Sequence, residues 1–247
     1  MASYWEDRLR KQFNERGSGH RGFSLDYNLQ LYQSKTKAVL EILGREQITL
    51  KGSTLLDVGC GTGFFESLAM NHGVQNLTGV DVSETSVRML TPRFPSYKFL
   101  NVNICQCRDQ RWEAVFDGVV ALDVLYCLRS DAEFEESFGM LAKSLKPGGW
   151  FLVSDRFYRL IGLERHVKFR PWSMYESLAH RHGLVLRQRM PLYITLTRPV
   201  IPVFGPLVLN PLGALFKKFD AWFRQRGPWT VRWLANLSLA LFTRSTP

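Results

Sequence analysis

The chain has 247 residues, of which 45% are hydrophobic, 13% aromatic and 22% charged, and its net charge is +10. This composition excludes a disordered, collagen-like or low-complexity chain, because each of those is poorer in apolar side chains. The four cysteines form no C-x-x-C pair or zinc-binding spacing, and no basic region followed by an apolar run opens the sequence. We therefore expect a cytoplasmic protein with free thiols and no bound metal.

Two helices are predicted before the first strand. Residues 3–16 have an amphipathic pattern with Ser3 and Glu6 at capping-box spacing, and Gly17–Gly22 interrupts it. A second helix is predicted from Ser24 to Leu43. Its predicted apolar face consists of Leu25, Leu29, Tyr32, Val39, Leu40 and Leu43. Residues 1–45 are therefore expected to form a helical cap.

From residue 54 onward, short apolar segments alternate with helical patterns. The predicted strands are Thr54–Val58, Leu77–Asp81, Tyr97–Val102, Phe116–Leu122 and Trp150–Asp155. The predicted helices between them are Phe64–His72, Glu84–Pro92 and Ser130–Leu145, and Lys146-Pro147-Gly148-Gly149 is a predicted turn. This alternation predicts an α/β fold, in which a parallel sheet carries helices on both faces.

The last part of the chain has weaker patterns. After a predicted helix at Trp172–His182, the segments Leu184–Arg189 and Leu192–Thr197 predict an antiparallel hairpin at the sheet edge. Four prolines in residues 198–213 exclude a regular helix or a central strand there, and Trp229–Phe242 is predicted to be helical. These patterns divide the chain into the cap, a sheet domain at residues 46–197 and an extension at residues 198–247.

The segment from Asp57 to Gly63 reads D-V-G-C-G-T-G and joins the first strand to the next helix. Open α/β sheets bind ligands at this position, and glycine lets the backbone turn sharply and approach a ligand closely. The G-x-G-x-G spacing differs from the G-x-G-x-x-G of dinucleotide sites. Asp57 would repel a pyrophosphate and suits an ammonium group, whereas Asp81 ends the next strand, where it can accept both hydroxyls of a ribose.

These segments resemble the motifs of the class I S-adenosylmethionine-dependent methyltransferases. Residues 55–63 resemble the first motif, 79–83 the second, 121–126 the motif of the fourth strand and 145–149 the turn before the fifth. The resemblance implies a Rossmann-like, mostly parallel sheet of seven strands in the order 3-2-1-4-5-7-6, with S-adenosylmethionine as the cofactor. The implied cofactor-binding residues are Asp57, Gly59, Cys60, Gly61, Gly63, Asp81, Val82, Asn103, Ile104 and Leu122.

Within that set, the resemblance implies that the glycine loop contacts the methionine end of the cofactor and Asp81 the ribose. Asn103 stands where the family often has an acid near the adenine amine. Val82 and Ile104 either flank the adenine ring or pack at the end of the sheet.

Methyl transfer from a sulfonium needs in-line placement of the acceptor and removal of its proton more than covalent help. The catalytic candidates are His20 in the glycine-rich segment, Tyr126 after the fourth strand and His166 after the fifth, with Asp155 and Tyr27 as further candidates. The competing interpretations are an exposed loop histidine for His20 and a solvated charged segment for His166.

The acceptor is expected to be a small molecule methylated at oxygen. Residues 123–126 read D-V-L-Y and lack the Asn/Asp-Pro-Pro-aromatic turn of methyltransferases that act on nucleobase amines, and no nucleic-acid-binding module is present, so a nucleic acid is not favoured. Two alternatives remain open. They are a lipid-like or membrane-borne acceptor and a non-catalytic protein that binds S-adenosylmethionine.

The basic charge is concentrated in residues 198–247, which hold seven Lys or Arg and one acid. Prolines interrupt the apolar stretch 190–216, so no transmembrane helix is expected. Cations interleaved with tryptophans suit peripheral contact with an anionic membrane. The competing interpretation is that this extension packs over the acceptor pocket and leaves its basic residues solvated.

Overall fold

The computed structural model describes residues 2–106, 112–157, 167–193, 222 and 237–246. The strands are β1 Thr54–Val58, β2 Asn76–Asp81, β3 Lys98–Asn101, β4 Phe116–Ala121, β5 Leu145–Asp155, β6 Leu184–Tyr193 and β7 Leu237–Arg244. They form one sheet in the order β3-β2-β1-β4-β5-β7-β6, in which β7 is antiparallel to both neighbours and the pairs among β1 to β5 are parallel. The predicted fold class and strand order are confirmed.

Helices cover both faces of the sheet. They are α1 Ala2–Lys11, α2 Glu15–Ser18, α3 Leu25–Arg45, α4 Phe64–Asn71, α5 Glu84–Arg93, α6 Asp131–Ser144 and α7 Trp172–Arg181. The buried side chains of α3, α4 and α5 pack on one face, and those of α6 and α7 pack on the other. Neighbouring strand residues point to opposite faces, so Leu55 and Leu56 are buried in different layers of the core.

Side-chain caps explain why several helices begin where the sequence predicted. The hydroxyls of Ser24, Ser83 and Ser130 each accept a hydrogen bond from a backbone N–H in the first turn of α3, α5 and α6. The predicted helix at residues 3–16 is divided in two, because Asn14 caps a new helix, α2. The predicted capping box is wrong, since Glu6 accepts hydrogen bonds from α5 instead.

The C-terminal predictions are the ones that the structure corrects most. The predicted hairpin is wrong: residues 184–193 form the single strand β6, and its antiparallel partner is β7. Residues 237–242 are strand and not helix, and Leu239, Ala240 and Leu241 are fully buried between β5 and β6. The sheet therefore extends beyond the predicted boundary at residue 197, and residues 194–236 connect two of its strands.

The predicted face of the second helix is also corrected. Leu25 and Leu29 are exposed, whereas Leu31, Ala38 and Ile42 are buried against the sheet. The helix carries two overlapping apolar stripes, and only the position of the sheet selects one of them. Helix α3 is thus a layer of the core, and the backbone carbonyl of Leu31 accepts a hydrogen bond from the hydroxyl of Tyr193 in β6.

The carboxyl ends of the parallel strands lie along one edge of the sheet, as in other open α/β folds. Strand β6 also ends there, and β7 begins there, because Tyr193 pairs with Leu237 and Asp155 pairs with Ser238. Residues 194–236 therefore leave and rejoin the sheet at this edge, and all of them except Trp222 lie outside the described residues. In the part of the chain that the structure describes, no helix has the length and apolar character needed to cross a membrane.

Candidate functional site

The loop after β1 is held against the end of β2. Gly59, Gly61 and Gly63 have φ angles of +76°, +52° and +86°. This is a left-handed backbone conformation that residues other than glycine rarely adopt. The N–H groups of Gly59 and Cys60 donate to the carbonyl of Val80 over 2.7 and 3.1 Å. A Cβ at Gly59 would lie 2.3 Å from a methyl group of Val124, so glycine is also required there by space.

A cavity of about 390 Å³ opens beside this loop. It is lined by the loop, by the ends of β2 and β4, and by residues of α1 and α3. Every predicted cofactor-binding residue lines the cavity except Gly63. Gly63 instead occupies the N-cap of α4, where a Cβ would lie 2.7 Å from Leu90 and 2.9 Å from Phe94, so packing as well as its left-handed φ requires glycine there.

Asp81 is buried at the end of β2, and both of its carboxylate oxygens accept backbone hydrogen bonds. Gly61 N–H donates to Oδ2 and Ser83 N–H to Oδ1, each over 2.8 Å. Burial raises the pKa of Asp81, and these two bonds oppose the rise. Since each carboxylate oxygen has a second lone pair, Asp81 orients the loop and still has acceptor capacity toward the cavity.

An ion pair that the sequence analysis missed lines the same cavity. Lys35 of α3 is 5% exposed, and its Nζ lies 2.5 Å from Oδ2 of Asp123, just after β4. The ammonium also lies 4.6 Å from the ring centroid of Tyr32 and 5.3 Å from that of Phe64. Its signal in the sequence is a single cation within a helix stripe that is otherwise apolar or uncharged.

The electrostatics of this pair keep Lys35 charged. Burial alone would lower the pKa of Lys35, but the carboxylate of Asp123 and the nearby hydroxyls of Tyr193 and Tyr32 outweigh burial and raise it. Asp123 has a φ of +63° and is held there by Ser154, whose hydroxyl accepts from the Asp123 N–H and donates to Oδ1. The cavity therefore contains a rigidly held ammonium and carboxylate.

Helix α1 covers part of the cavity, and Trp5 and Leu9 line it. Glu6 anchors the helix: its carboxylate accepts hydrogen bonds from the hydroxyls of Ser83 and Thr85 and from the N–H of Thr85, at 2.6 to 3.1 Å. These bonds lower the pKa of Glu6 to about 2. The negative charge of Glu6 therefore lies at the N-terminus of α5, where the helix dipole favours it, and this contact holds α1 over the cavity.

Two of the three predicted catalytic residues, His20 and Tyr126, do not line the cavity. His20 is exposed, its ring lies 4.3 Å from that of Phe23, and it does not line the cavity. Tyr126 packs on Phe169 with ring centroids 5.1 Å apart, and burial raises the pKa of its phenol. His166 lies outside the described residues. Roles for these three stay predictions, which the geometry does not favour for His20 and Tyr126.

The contacts of the two further candidates, Asp155 and Tyr27, indicate structural roles. Asp155 at the end of β5 accepts a 2.5 Å hydrogen bond from the hydroxyl of Tyr175, and burial raises its pKa to about 7. Tyr27 is 1% exposed and packs against Phe23 with ring centroids 4.4 Å apart. Neither residue lines the cavity.

Residues 27–190 match a family model described as a methyltransferase domain. The match covers more than half of the chain, and the chain belongs to this family. It includes all four motifs that predicted the relationship, and it agrees with S-adenosylmethionine as the cofactor.

Curated relatives share modest identity with the chain. A malonyl-[acyl-carrier protein] O-methyltransferase of Paenibacillus is 26% identical over 180 residues, which cover 71% of this chain and 64% of the relative. A ubiquinone biosynthesis O-methyltransferase of Coxiella burnetii is 32% identical over 141 residues, which cover 53% and 58%. The chain thus spans about three fifths of the length of these relatives.

Solved structures share the fold at low identity. Magnesium protoporphyrin IX methyltransferase of Synechocystis, solved with S-adenosylhomocysteine, superposes with a TM-score of 0.62 at 17% identity and covers 98% of this chain and 97% of its own. The N-methyltransferase NodS of Bradyrhizobium japonicum superposes with a TM-score of 0.60 at 18% identity, covering 97% and 98%. These likenesses concern the fold.

Proposed function

We propose that the chain is an S-adenosylmethionine-dependent methyltransferase that methylates an oxygen atom of a small molecule. The observation that carries the proposal is one cavity that joins the glycine loop to the Lys35–Asp123 pair. Its volume of about 390 Å³ lies in the range of small-molecule sites. The two relatives named above are both O-methyltransferases, which supports oxygen as the acceptor atom.

The residues around the cavity fit the cofactor. The left-handed glycines leave backbone open beside the cavity, Asp57 provides a buried carboxyl for the ammonium group, and Asp81 has lone pairs for the ribose hydroxyls. Val82 and Ile104 also line the cavity and provide apolar neighbours for the adenine ring. When bound, S-adenosylmethionine supplies a methyl group on a sulfonium, which needs no further activation.

Lys35 and Asp123 provide the acceptor chemistry in this proposal. The ammonium of Lys35 stabilises negative charge on the acceptor oxygen, and the carboxylate of Asp123 takes the proton of its hydroxyl. S-adenosylmethionine, when bound, would supply the methyl group to that oxygen. Ser154 keeps Asp123 in place throughout, since it bonds both its N–H and its carboxylate.

The proposal is tested with S-adenosylmethionine labelled in the methyl group. The purified chain is incubated with a panel of phenols, carboxylic acids and matched amines, and the labelled products are identified by mass spectrometry. We expect label on a hydroxyl or carboxyl oxygen, and no label with Asp123→Asn. Label on amines alone would overturn the oxygen assignment, and absence of S-adenosylhomocysteine binding would overturn the cofactor.

A second candidate function is methylation of a lipid-like acceptor at a membrane surface. It is favoured by the position of residues 194–236, which hold six Lys or Arg and one acid and leave and rejoin the sheet at the edge that carries the cavity. Flotation with anionic vesicles tests it. We expect salt-sensitive binding that decreases when Lys217, Lys218, Arg224 and Arg226 are changed to Gln. A wild-type chain that does not float at low salt contradicts this candidate and leaves packing over the acceptor pocket as the prediction for this segment.

A further inference from the structure

A third buried acid lies beside the glycine loop, in addition to Asp57 and Asp81. Glu66 lies in the first turn of α4 and is 0% exposed, and Asp57 of β1 is 4% exposed. Asp57 pairs in register with Gly79 of β2, and the Glu66 carboxyl fills the space beside Gly79, so the two carboxyl groups lie close enough to share a hydrogen bond. Both carboxyl oxygens of Glu66 are buried, and among the described residues Asp57 is the one side chain hydrogen bonded to them.

A hydrogen bond between two carboxyl groups requires a proton on one of them. Two buried carboxylates in contact would repel each other at low dielectric, so the pair retains a proton where isolated acids would lose theirs. Burial raises the pKa of Asp57 to about 7, and burial together with the nearby Asp57 raises the pKa of Glu66 well above its ordinary value. Glu66 is the more deeply buried of the two and does not line the cavity, whereas Asp57 lines it and feels the positive charge of Lys35, so Glu66 is the partner that keeps the proton.

The titratable groups around the pair of Asp57 and Glu66 do not neutralise it, because each is bonded to another group or is uncharged. From β2, Asp81 is occupied by the N–H groups of Gly61 and Ser83. From α3, the ammonium of Lys35 acts on Asp57 from a distance and is bonded to Asp123. The thiol of Cys60 and the phenol of Tyr97 have raised pKa values and remain neutral, and the Tyr97 hydroxyl donates to the carbonyl of Val74.

The neighbouring strand makes room for the Glu66 carboxyl. A Cβ at Gly79 in β2 would lie 2.9 Å from Oε1 of Glu66 and 2.8 Å from the ring of Phe99. Glycine at this strand position is unfavourable by itself, because it adds no packing and costs conformational entropy. Its presence here matches the space that the carboxyl occupies under the cofactor loop.

We propose that Glu66 is a positioning residue for the cofactor: it keeps its own proton and donates a hydrogen bond to Asp57, and so it holds Asp57 as the anion that meets the ammonium group. The inference rests on the proposed function, because it takes S-adenosylmethionine as the ligand. The cation of the ligand favours ionised Asp57, whereas Glu66 keeps its proton. Binding below about pH 7 therefore displaces a proton from Asp57, and Glu66 sets the pH at which this begins.

The test is calorimetric titration with S-adenosylhomocysteine between pH 5.5 and 7.5, in two buffers that differ in ionisation enthalpy. The wild type is expected to bind more weakly below pH 7, by up to about tenfold per pH unit, with release of up to one proton. Asp57→Asn is expected to bind weakly with no pH dependence. Asp155→Asn is the matched control, because Asp155 is also a buried acid with a pKa of about 7 but does not line the cavity, and the wild-type profile is expected for it.

Variants of Glu66 separate positioning from packing. Glu66→Gln still donates a hydrogen bond to Asp57, and its affinity is expected to stay within about threefold of the wild type. Glu66→Leu lacks the donor, so its affinity at pH 7.5 is expected to fall about tenfold. The midpoint of its pH dependence is expected to move to higher pH. A Glu66→Leu variant with the wild-type profile overturns the inference. If that variant does not fold, wild-type binding without proton release overturns it alone. A wild type that does not bind at any pH contradicts the proposed function instead.

Discussion

The two halves of the sheet differ in how far local sequence specifies them. In the half from β3 to β4, each strand is followed by its own helix or turn, and the predicted strands agree with the observed ones within two residues at each end. In the half beyond β5, the seventh strand comes from residues 237–244, more than 40 residues after the end of β6. Local patterns specify an element, but a strand partner that is distant in sequence is chosen by the space left in the sheet.

The same contrast applies within the cavity. Its cofactor side is built from one continuous loop and the strand beside it, so motif spacing identifies it. Its acceptor side is built from α1, α3 and the end of β4. Lys35 and Asp123, which meet there, are 88 residues apart in the sequence. The predictions below test this division, beginning with the residue for which we expect the largest effect.

Gly61→Val tests the cofactor side. The φ of +52° at Gly61 and its position in the cavity lining predict a loss of S-adenosylhomocysteine affinity of at least about 100-fold, because valine strains the loop and its methyl groups enter the site. Gly52→Val is the matched control, since Gly52 has a φ of +76° and open space around it. Thermal unfolding should show similar destabilisation of both variants, of about 1–3 kcal/mol, because valine is strained at positive φ. Equal affinity in the two variants, measured by calorimetry, would contradict the site.

Lys35→Met tests the acceptor side. We expect about 100-fold slower turnover at saturating cofactor, the size seen for loss of a charge-stabilising donor. Unfolding by urea should show a loss of about 2 kcal/mol, less than for a fully buried pair because the Asp123 side chain is 27% exposed. Lys146→Met is the control, since its pair with Asp117 is far more exposed. A raised KM for the cofactor with unchanged kcat would assign Lys35 to the cofactor instead.

Glu6→Ala tests the attachment of α1. Without its bonds to Ser83 and Thr85, α1 should exchange its amide hydrogens faster, and S-adenosylhomocysteine should dissociate about three- to tenfold faster. Asp7→Asn is the control, because Asp7 makes only an exposed ion pair with Arg10 among the contacts described for its side chain. Unchanged exchange in α1 would show that Glu6 does not hold the helix.

The same anchor has a defined pH dependence. The pKa of Glu6 is about 2, below its ordinary value of 4.5, so its contribution is fully present above about pH 4.5. It is lost as the pH falls toward 2, where the carboxylate takes up its proton. Hydrogen exchange of α1 in the wild type should therefore increase over this range, and Glu6→Ala should lack this component of the increase.

His20→Ala and Tyr126→Phe are expected to have the smallest effects. Neither side chain lines the cavity, and the raised pKa of Tyr126 keeps its phenol neutral. Values of kcat and KM should remain within about twofold of the wild type, since neither change removes a contact to reacting groups. A drop of tenfold or more in kcat for His20→Ala would restore the catalytic role that the sequence suggested.

The strand order was implied by the resemblance to the methyltransferase family, whereas the sequence by itself determined the fold class and the cofactor loop. These depend on short-range properties: apolar segments of strand length, serines at helix starts, and glycines spaced for a left-handed turn beside Asp57 and Asp81. Each is readable within about 30 residues, because neighbouring strand, turn and helix make up one packing unit. Gly63 is an instructive exception, since its place in the motif indicated a ligand contact whereas its neighbours Leu90 and Phe94 show a packing role.

Only the tertiary structure decided which face of α3 is buried, which segment completes the sheet and which charged groups meet. Leu25 and Leu31 are equally apolar, and burial of one rather than the other follows from where β6 lies. Lys35 reads as an ordinary helix residue until α3 packs against the end of β4, where desolvation makes Asp123 its required partner. Glu66 likewise reads as a helix-start acid, and its proton becomes significant only because folding buries it beside Asp57.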